Sequence, residues 1–530
     1  MRQTFGWSRR WSGFLVLVTV LLVITVGVAW SQGQPKSGGT LVLIQAHPTW
    51  WNPLLESSAP FVNRILYMGL TDYDAKGEVV PGLAEKWSVS SDKLTYTFSL
   101  RKDVKWHDGR PFTSADVKFT FERILDPEVG SWLKGFFENV SQVETPDDHT
   151  AVVRLRAPSP TLLYNTWHGI LPKHIWEKED FKKSAYNSTP VGTGPFKLTQ
   201  WLRNDQAIFV ANESFFRGRP YLDRVIFKNM TDSSVAAVAL ERGEVDYLTP
   251  FGIIGGAPYN LVKTLEQRPN LQVRVSETTQ TQYLYMRIDK PPFDNLKVRQ
   301  AIAHAINKQE VSDRTTAGYG KPLDSRVPPL IGWAHEPNVP VYRYDVAQAN
   351  RLLDEAGFKR GPDGIRFKTK IYANPGPRLI MSELFREHLR AVGIDAEIVT
   401  QDWAAYIGGI RDRRTVEGMW TLWQATYIPD PEILLYTYWS KEIKPSGRNY
   451  VFYTSPVMDR LLDQSFTTVE RAPRGAVIRE IQKVAAADVA GVIPLFVQPV
   501  VEVWNKKFKG IQFIEYGGSS YTFLEKVWQE

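Results

Sequence analysis

Residues 40–44 (TLVLI) are apolar and β-branched and follow the turn-forming stretch QGQPKSGG, which predicts a strand where the folded body begins. Residues 94–100 (LTYTFSL) alternate faces at period two, and residues 101–106 continue toward the turn His107-Asp108-Gly109. These predict surface strands of an α+β lobe. Thr113-Ser114-Ala115-Asp116 is a capping-box start, and Val117, Phe121, Ile124 and Leu125 then fall on one helical face, so a helix is expected to end at Asp126-Pro127. Val298, Ile302, Ala305 and Ile306 form a second helical stripe, entered through Asp294-Asn295. Residues 345–357 carry Asp345 as N-cap, Gln348 three residues on, and Gly357 where a left-handed C-terminal residue is wanted. Residues 378–393 predict another helix with the same glycine ending, followed by strand-like 396–399, and Ser455-Pro456 opens a further helix with proline at its first position. Helices and strands alternate throughout, which predicts α/β lobes, with no internal repeat.

Ahead of this body, residues 13–30 (GFLVLVTVLLVITVGVAW) are uncharged, preceded by Arg9 and Arg10 and followed by small and polar residues. This is the pattern of an export signal. Small residues at the positions a signal peptidase reads allow cleavage after Ala29 or Ser31. Ser8-Arg9-Arg10-Trp11 loosely resembles a twin-arginine signal, but nothing later demands a prefolded cofactor protein, so Sec export fits better. The alternative is an uncleaved anchor, because 18 apolar residues just span a bilayer core of about 30 Å. Residues 1–31 are read as signal and 32–39 as linker, placing the body periplasmic or otherwise outside the cytoplasm.

A chain of 530 residues exceeds the roughly 100 to 200 residues of one domain. Its 43% apolar and 23% charged residues fit a soluble globular body. The complete lack of cysteine excludes disulfides, thiolate metal sites, a thiol nucleophile and a lipid-modified cysteine anchor. The net charge is +7, three units of it from Arg2, Arg9 and Arg10, and the rest is spread without any long basic run, so nucleic acid is not an expected partner. The 18 tryptophans, with 22 tyrosines and 26 phenylalanines, are more than a core needs and suit a cavity that holds ligand by stacking.

Enzyme signatures do not emerge. The eight histidines are scattered and make no H-E-x-x-H pairing, so no metal or cofactor is expected. There is no G-x-S-x-G elbow and no phosphate loop; Gly318-Tyr319-Gly320-Lys321-Pro322 places proline where serine or threonine is needed. Gly192-Thr193-Gly194-Pro195 is too short for a dinucleotide fingerprint and reads as a tight turn. Paired carboxylates for glycoside chemistry depend on tertiary separation, so a secreted glycan-degrading enzyme stays as the rival class.

Several segments together resemble one family. Residues 67–127 run in the order L-x-x-Y-D, P-x-L-A-E-x-W and F-x-L-R-x-x-V-x-W-H-D-G-x-P-F-T, joined by 190–196 (PVGTGPF), by Pro292-Phe293-Asp294 through Val298-Arg299-Gln300-Ala301, by 353–358 (LDEAGF) and by Ile493-Pro494-Leu495. This is similar to the family 5 extracytoplasmic solute-binding proteins of ABC transporters, which include dipeptide-, oligopeptide- and nickel-binding members. The resemblance implies a two-lobed α/β clamp of three subdomains: lobe one at about 38–283 and 501–530, with an extra subdomain at about 62–188, and lobe two at 284–500. It implies no catalysis, a monomer, a peptide or peptide-like ligand, a membrane permease as partner, and a structural rather than catalytic role for His107 and Asp108.

The resemblance places the ligand against residues 419–431 (MWTLWQATYIPDP). Peptide-binding relatives carry W-x-x-D there, the aspartate holding the peptide ammonium. Here Thr426, or Tyr427 if an insertion shifts the register, stands at that place, and the first acid after Trp423 is Asp430. The expected ligand set is Trp423, Thr426, Tyr427, Trp420, Trp403, Tyr406, Arg378, Trp51 and Ser58. Arg378 matches a segment where dipeptide-binding relatives present arginine to a ligand carboxylate; an exposed helix-start arginine is the alternative. The aromatics and neutral hydroxyls also suit an oligosaccharide, the second ligand class.

Overall fold

The computed structural model describes residues 35–56, 62–249, 256–412, 414–426, 428–444, 447–513 and 521–530. The export segment, Ser58 and Tyr427 lie outside the described residues. Thr40–Ile44 forms the middle of a seven-stranded sheet ordered Leu271–Ser276, Val500–Asn505, Tyr247–Leu248, Thr40–Ile44, Arg224–Lys228, Gln206–Ala211 and Phe196–Leu202. A six-stranded sheet follows the order Lys321–Pro322, Val492–Val497, Thr281–Met286, Met419–Gln424, Phe367–Ala373 and Ile394–Thr400. The first sheet thus takes a strand from near the end of the chain, as a clamp requires.

Thr281–Met286 is buried at all six positions because both faces of its sheet are covered. One face packs under Val298, Ile302, Phe385 and Leu389. The other carries Tyr283, Tyr285, Trp420 and Leu435. Such a strand cannot show period-two alternation, which is why the sequence pattern did not reveal it. Thr95–Leu100 does alternate, with every second residue buried, in a four-stranded antiparallel sheet ordered Ala84–Val89, Thr95–Leu100, Thr150–Leu155 and Val140–Asp147.

The capping signals act as read. Asp116 Oδ2 accepts from the Thr113 amide at 2.9 Å, and the helix Ser114–Leu125 stops before Pro127. Asp345 Oδ1 accepts from the Gln348 amide at 2.8 Å at the start of Val346–Glu355, and Gly357 follows with φ +86°. Proline opens Pro377–Ala391 and Pro456–Thr467.

His107-Asp108-Gly109 and Gly192-Thr193-Gly194 prove to be two halves of one joint. His107 Nε2 lies 3.1 Å from the Gly194 carbonyl, and Nδ1 accepts from the Gly192 amide at 3.2 Å. Burial pushes the His107 pKa down to about 4, so the ring is neutral and suited to that exchange. A side chain on Gly192 would meet the Leu66 carbonyl oxygen at 1.9 Å, which explains the glycine. Asp108 is occupied by His174 at 2.8 Å. The polar signature is therefore a packing device.

The chain passes between the two sheets at 277–280 and 498–499, where one sheet's strands end and the other's begin. The first crossing lies a few residues before the position 283 expected from the sequence. Side chains tie the crossings together: Thr278 Oγ1 donates to the Gln498 carbonyl at 3.1 Å, and Gln282 Nε2 to Gln498 Oε1 at 2.6 Å. The Gln498 amide donates to the Gln280 carbonyl at 2.8 Å.

Candidate functional site

Cross-strand neighbours in a sheet project from the same face. Gln282 pairs with Phe496 on one side and Trp423 on the other, so these three form a row beside the crossings. Gln282 and Phe496 line a groove of about 380 Å³ between the lobes, facing Ala257 and Tyr259 of the first lobe and Arg314 and Pro377 of the second. Trp423, half-buried, completes the row. Tyr259 fixes the far wall by donating to the Pro499 carbonyl at 2.7 Å.

Thr426 is pinned to the crossing segment. Its amide donates to Thr279 Oγ1 at 3.1 Å, and Thr279 Oγ1 donates to its carbonyl at 3.0 Å. The residue is fully buried, and its own hydroxyl has no partner among the described residues. Asp430 offers no replacement carboxylate: it is buried at 3% exposure and held by both terminal nitrogens of Arg474, itself 2% exposed, with Nη2 to Oδ1 at 3.1 Å.

Arg378 is not the exposed helix-start residue of the alternative reading; it is 6% exposed. Nη1 donates to Asn374 Oδ1 at 3.2 Å, while Nε and Nη2 are buried without partners among the described residues. Its guanidinium carbon lies 5.2 Å from the ring centre of Trp403, which is 47% exposed. Burial holds the Arg378 pKa below its ordinary value, opposed by the nearby Tyr406. A buried cation lacking two of its hydrogen bonds is costly on its own and favours an anion brought from outside.

Three members of the expected ligand set are core instead. Trp51 has no exposed surface and packs edge-on against Trp201 and Phe209, with ring centres 5.5 and 5.4 Å away. Trp420, 1% exposed, stacks on Tyr285 at 5.8 Å and 9°. Tyr406 is enclosed, and its hydroxyl donates to the Thr421 carbonyl. Their aromatic character signalled packing, and sequence alone does not separate the two uses. Conversely, Gln282, Tyr259, Arg314 and Phe496 were missed, because residues so far apart in the chain meet only after folding and belong to no short motif.

Among the described residues no group of histidines and acids is placed to hold a metal ion, and no helix is long and apolar enough to cross a membrane.

Comparison with known proteins bears on the family and the fold. The family model described as bacterial extracellular solute-binding proteins, family 5, middle part, matches residues 78–446. A Brucella ovis chain named as an ABC transporter peptide-binding protein is 31% identical over 435 residues, 79% of each chain. The dipeptide-binding protein of Escherichia coli K12 is 29% identical over 549 residues, covering 95% of this chain and 96% of that one. The solved structure of the Helicobacter pylori periplasmic binding protein DppA with the peptide STSA superposes with a TM-score of 0.82 at 29% identity, covering 94% of this chain and 99% of that one. The fold is the two-lobed clamp of such proteins, and the chain belongs to the bacterial extracellular solute-binding proteins of family 5.

Proposed function

We propose that this protein captures a peptide or peptide-like compound between its lobes outside the cytoplasm and delivers it to an ABC transporter permease, acting as a monomer and catalysing no reaction. Arg378 carries the reading. Its two unpartnered nitrogens suit a ligand carboxylate, and a charge-assisted fork of this kind is strong when desolvated. Closure follows because only the closed form touches ligand from both lobes, and ligand shifts the open–closed equilibrium by the difference in its affinity for the two forms. Removing the half-buried stacking face, Trp423→Ala should weaken binding by about 1–3 kcal/mol. Calorimetric titration against a panel of short peptides measures this; unchanged affinity would remove Trp423 from the site.

An oligosaccharide is the second reading, favoured by Trp423 beside the neutral groups of Gln282 and Thr426, each with a buried oxygen lacking a partner among the described residues. The same titration with oligosaccharides separates the two.

Export by residues 13–30 completes the proposal. The intact mass of natively produced protein should correspond to a chain beginning at Trp30 or Gln32. A mass that retains Met1 would establish an anchor.

A further inference from the structure

Just beyond Thr426 in the chain a second, smaller and partly open space lies between the lobes. Trp132, Phe136, Trp167 and His168 of the extra subdomain face Asp430 and Glu432 of the second lobe around a cavity of about 30 Å³. A water needs about 10–15 Å³ by this measure, so the space suits a group the size of an alkylammonium. The rings form one wall: His168 lies 5.2 Å from Trp132, 4.5 Å from Trp167 and 6.4 Å from Phe136, centre to centre. Burial pushes the His168 pKa down to about 3, so this ring adds no positive charge.

Opposite the rings, two carboxylates share one guanidinium. Asp430 takes both terminal nitrogens of Arg474, leaving Glu432 with Arg474 Nη2 at 3.4 Å, the Tyr436 hydroxyl, which donates to Oε1 at 2.7 Å, and a hydrogen bond from Thr161 across the pocket. Burial, offset in part by Arg474 and reinforced by Asp430, raises the Glu432 pKa above its ordinary value, so this carboxyl lacks a full cationic partner of its own and an ammonium beside it would favour its charged form. Aromatic faces and a carboxyl short of a cationic partner both favour an ammonium. The Phe136 ring already receives a cation, the Arg448 guanidinium standing 5.9 Å from its centre.

We infer that this pocket is a subsite for the ammonium of a basic side chain on the ligand, held between the aromatic wall and Glu432. The assignment rests on the peptide-binding reading of the adjacent cleft. Because its walls come from both lobes, the subsite exists only in the closed clamp and rewards closure on a basic ligand.

The test uses a matched pair of N-acetylated tripeptides bearing lysine or norleucine at the first position, titrated into the full-length mature protein. Lysine should be preferred by about tenfold, the scale of one hydrogen bond to a charged group. Glu432→Gln should abolish that preference and leave the norleucine peptide's affinity unchanged. Phe136→Leu, on the other lobe, should reduce the preference independently, and thermal melts of both variants verify folding. Equal binding of the two peptides by the parent protein, or a preference that survives both substitutions, overturns the subsite alone. Failure of both peptides to bind overturns the peptide-cleft reading and the subsite with it.

Discussion

Replacing Arg378 by methionine will weaken carboxylate-ligand binding by about 2–5 kcal/mol, roughly 30-fold to several thousand-fold, while leaving the ligand-free protein as stable as before or more so. The two signs have one cause. The guanidinium is 6% exposed with two nitrogens that have no partner among the described residues, so without a ligand anion it costs desolvation that nothing compensates. Methionine keeps most of the volume beside Trp403 and removes the charge. Among the described residues one side-chain hydrogen bond, to Asn374, is lost. Chemical denaturation without ligand and calorimetry with ligand read the two effects separately. A variant that loses stability but keeps its affinity would make Arg378 a structural residue and leave the cleft without its anchor.

Asp430→Ala will destabilise the fold by about 3–5 kcal/mol, the range for breaking a buried ion pair from one side. Asp430 and Arg474 are 3% and 2% exposed, and the arginine also donates to the Ser465 carbonyl at 2.8 Å, so removing the carboxylate leaves a buried cation with only the longer Glu432 contact at 3.4 Å to offset it. Equilibrium unfolding in urea measures the loss. A change below about 1 kcal/mol, the ordinary value of an exposed pair, would contradict the buried clamp described for Asp430.

Where local chemistry decides local structure, the sequence was readable: the Thr113–Asp116 box, the Asp345 cap and the alternation of Thr95–Leu100 each depend on neighbours within a few residues. The family motifs were readable too, but their reason was not. Nothing in His107-Asp108-Gly109 announces that it docks on Gly192 and Gly194, some 85 residues away. The candidate site was half legible for the same reason. Trp423 and Thr426 stand in one stretch, whereas their partners Gln282, Thr279 and Phe496 come from crossing strands whose registers are set by tertiary packing. Trp51, Trp420 and Tyr406 show the converse limit: an aromatic side chain offers the same face to a core as to a ligand.

The central claim is that the clamp closes on a carboxylate-bearing, peptide-like solute held at Arg378. Mass spectrometry of the small molecule released from natively purified protein tests it most directly. The expected product is a peptide-like compound with a free carboxylate that rebinds the emptied protein at one equivalent and is not retained by Arg378→Met. A released solute with no carboxylate, or one that Arg378→Met binds as tightly as the parent, would contradict it.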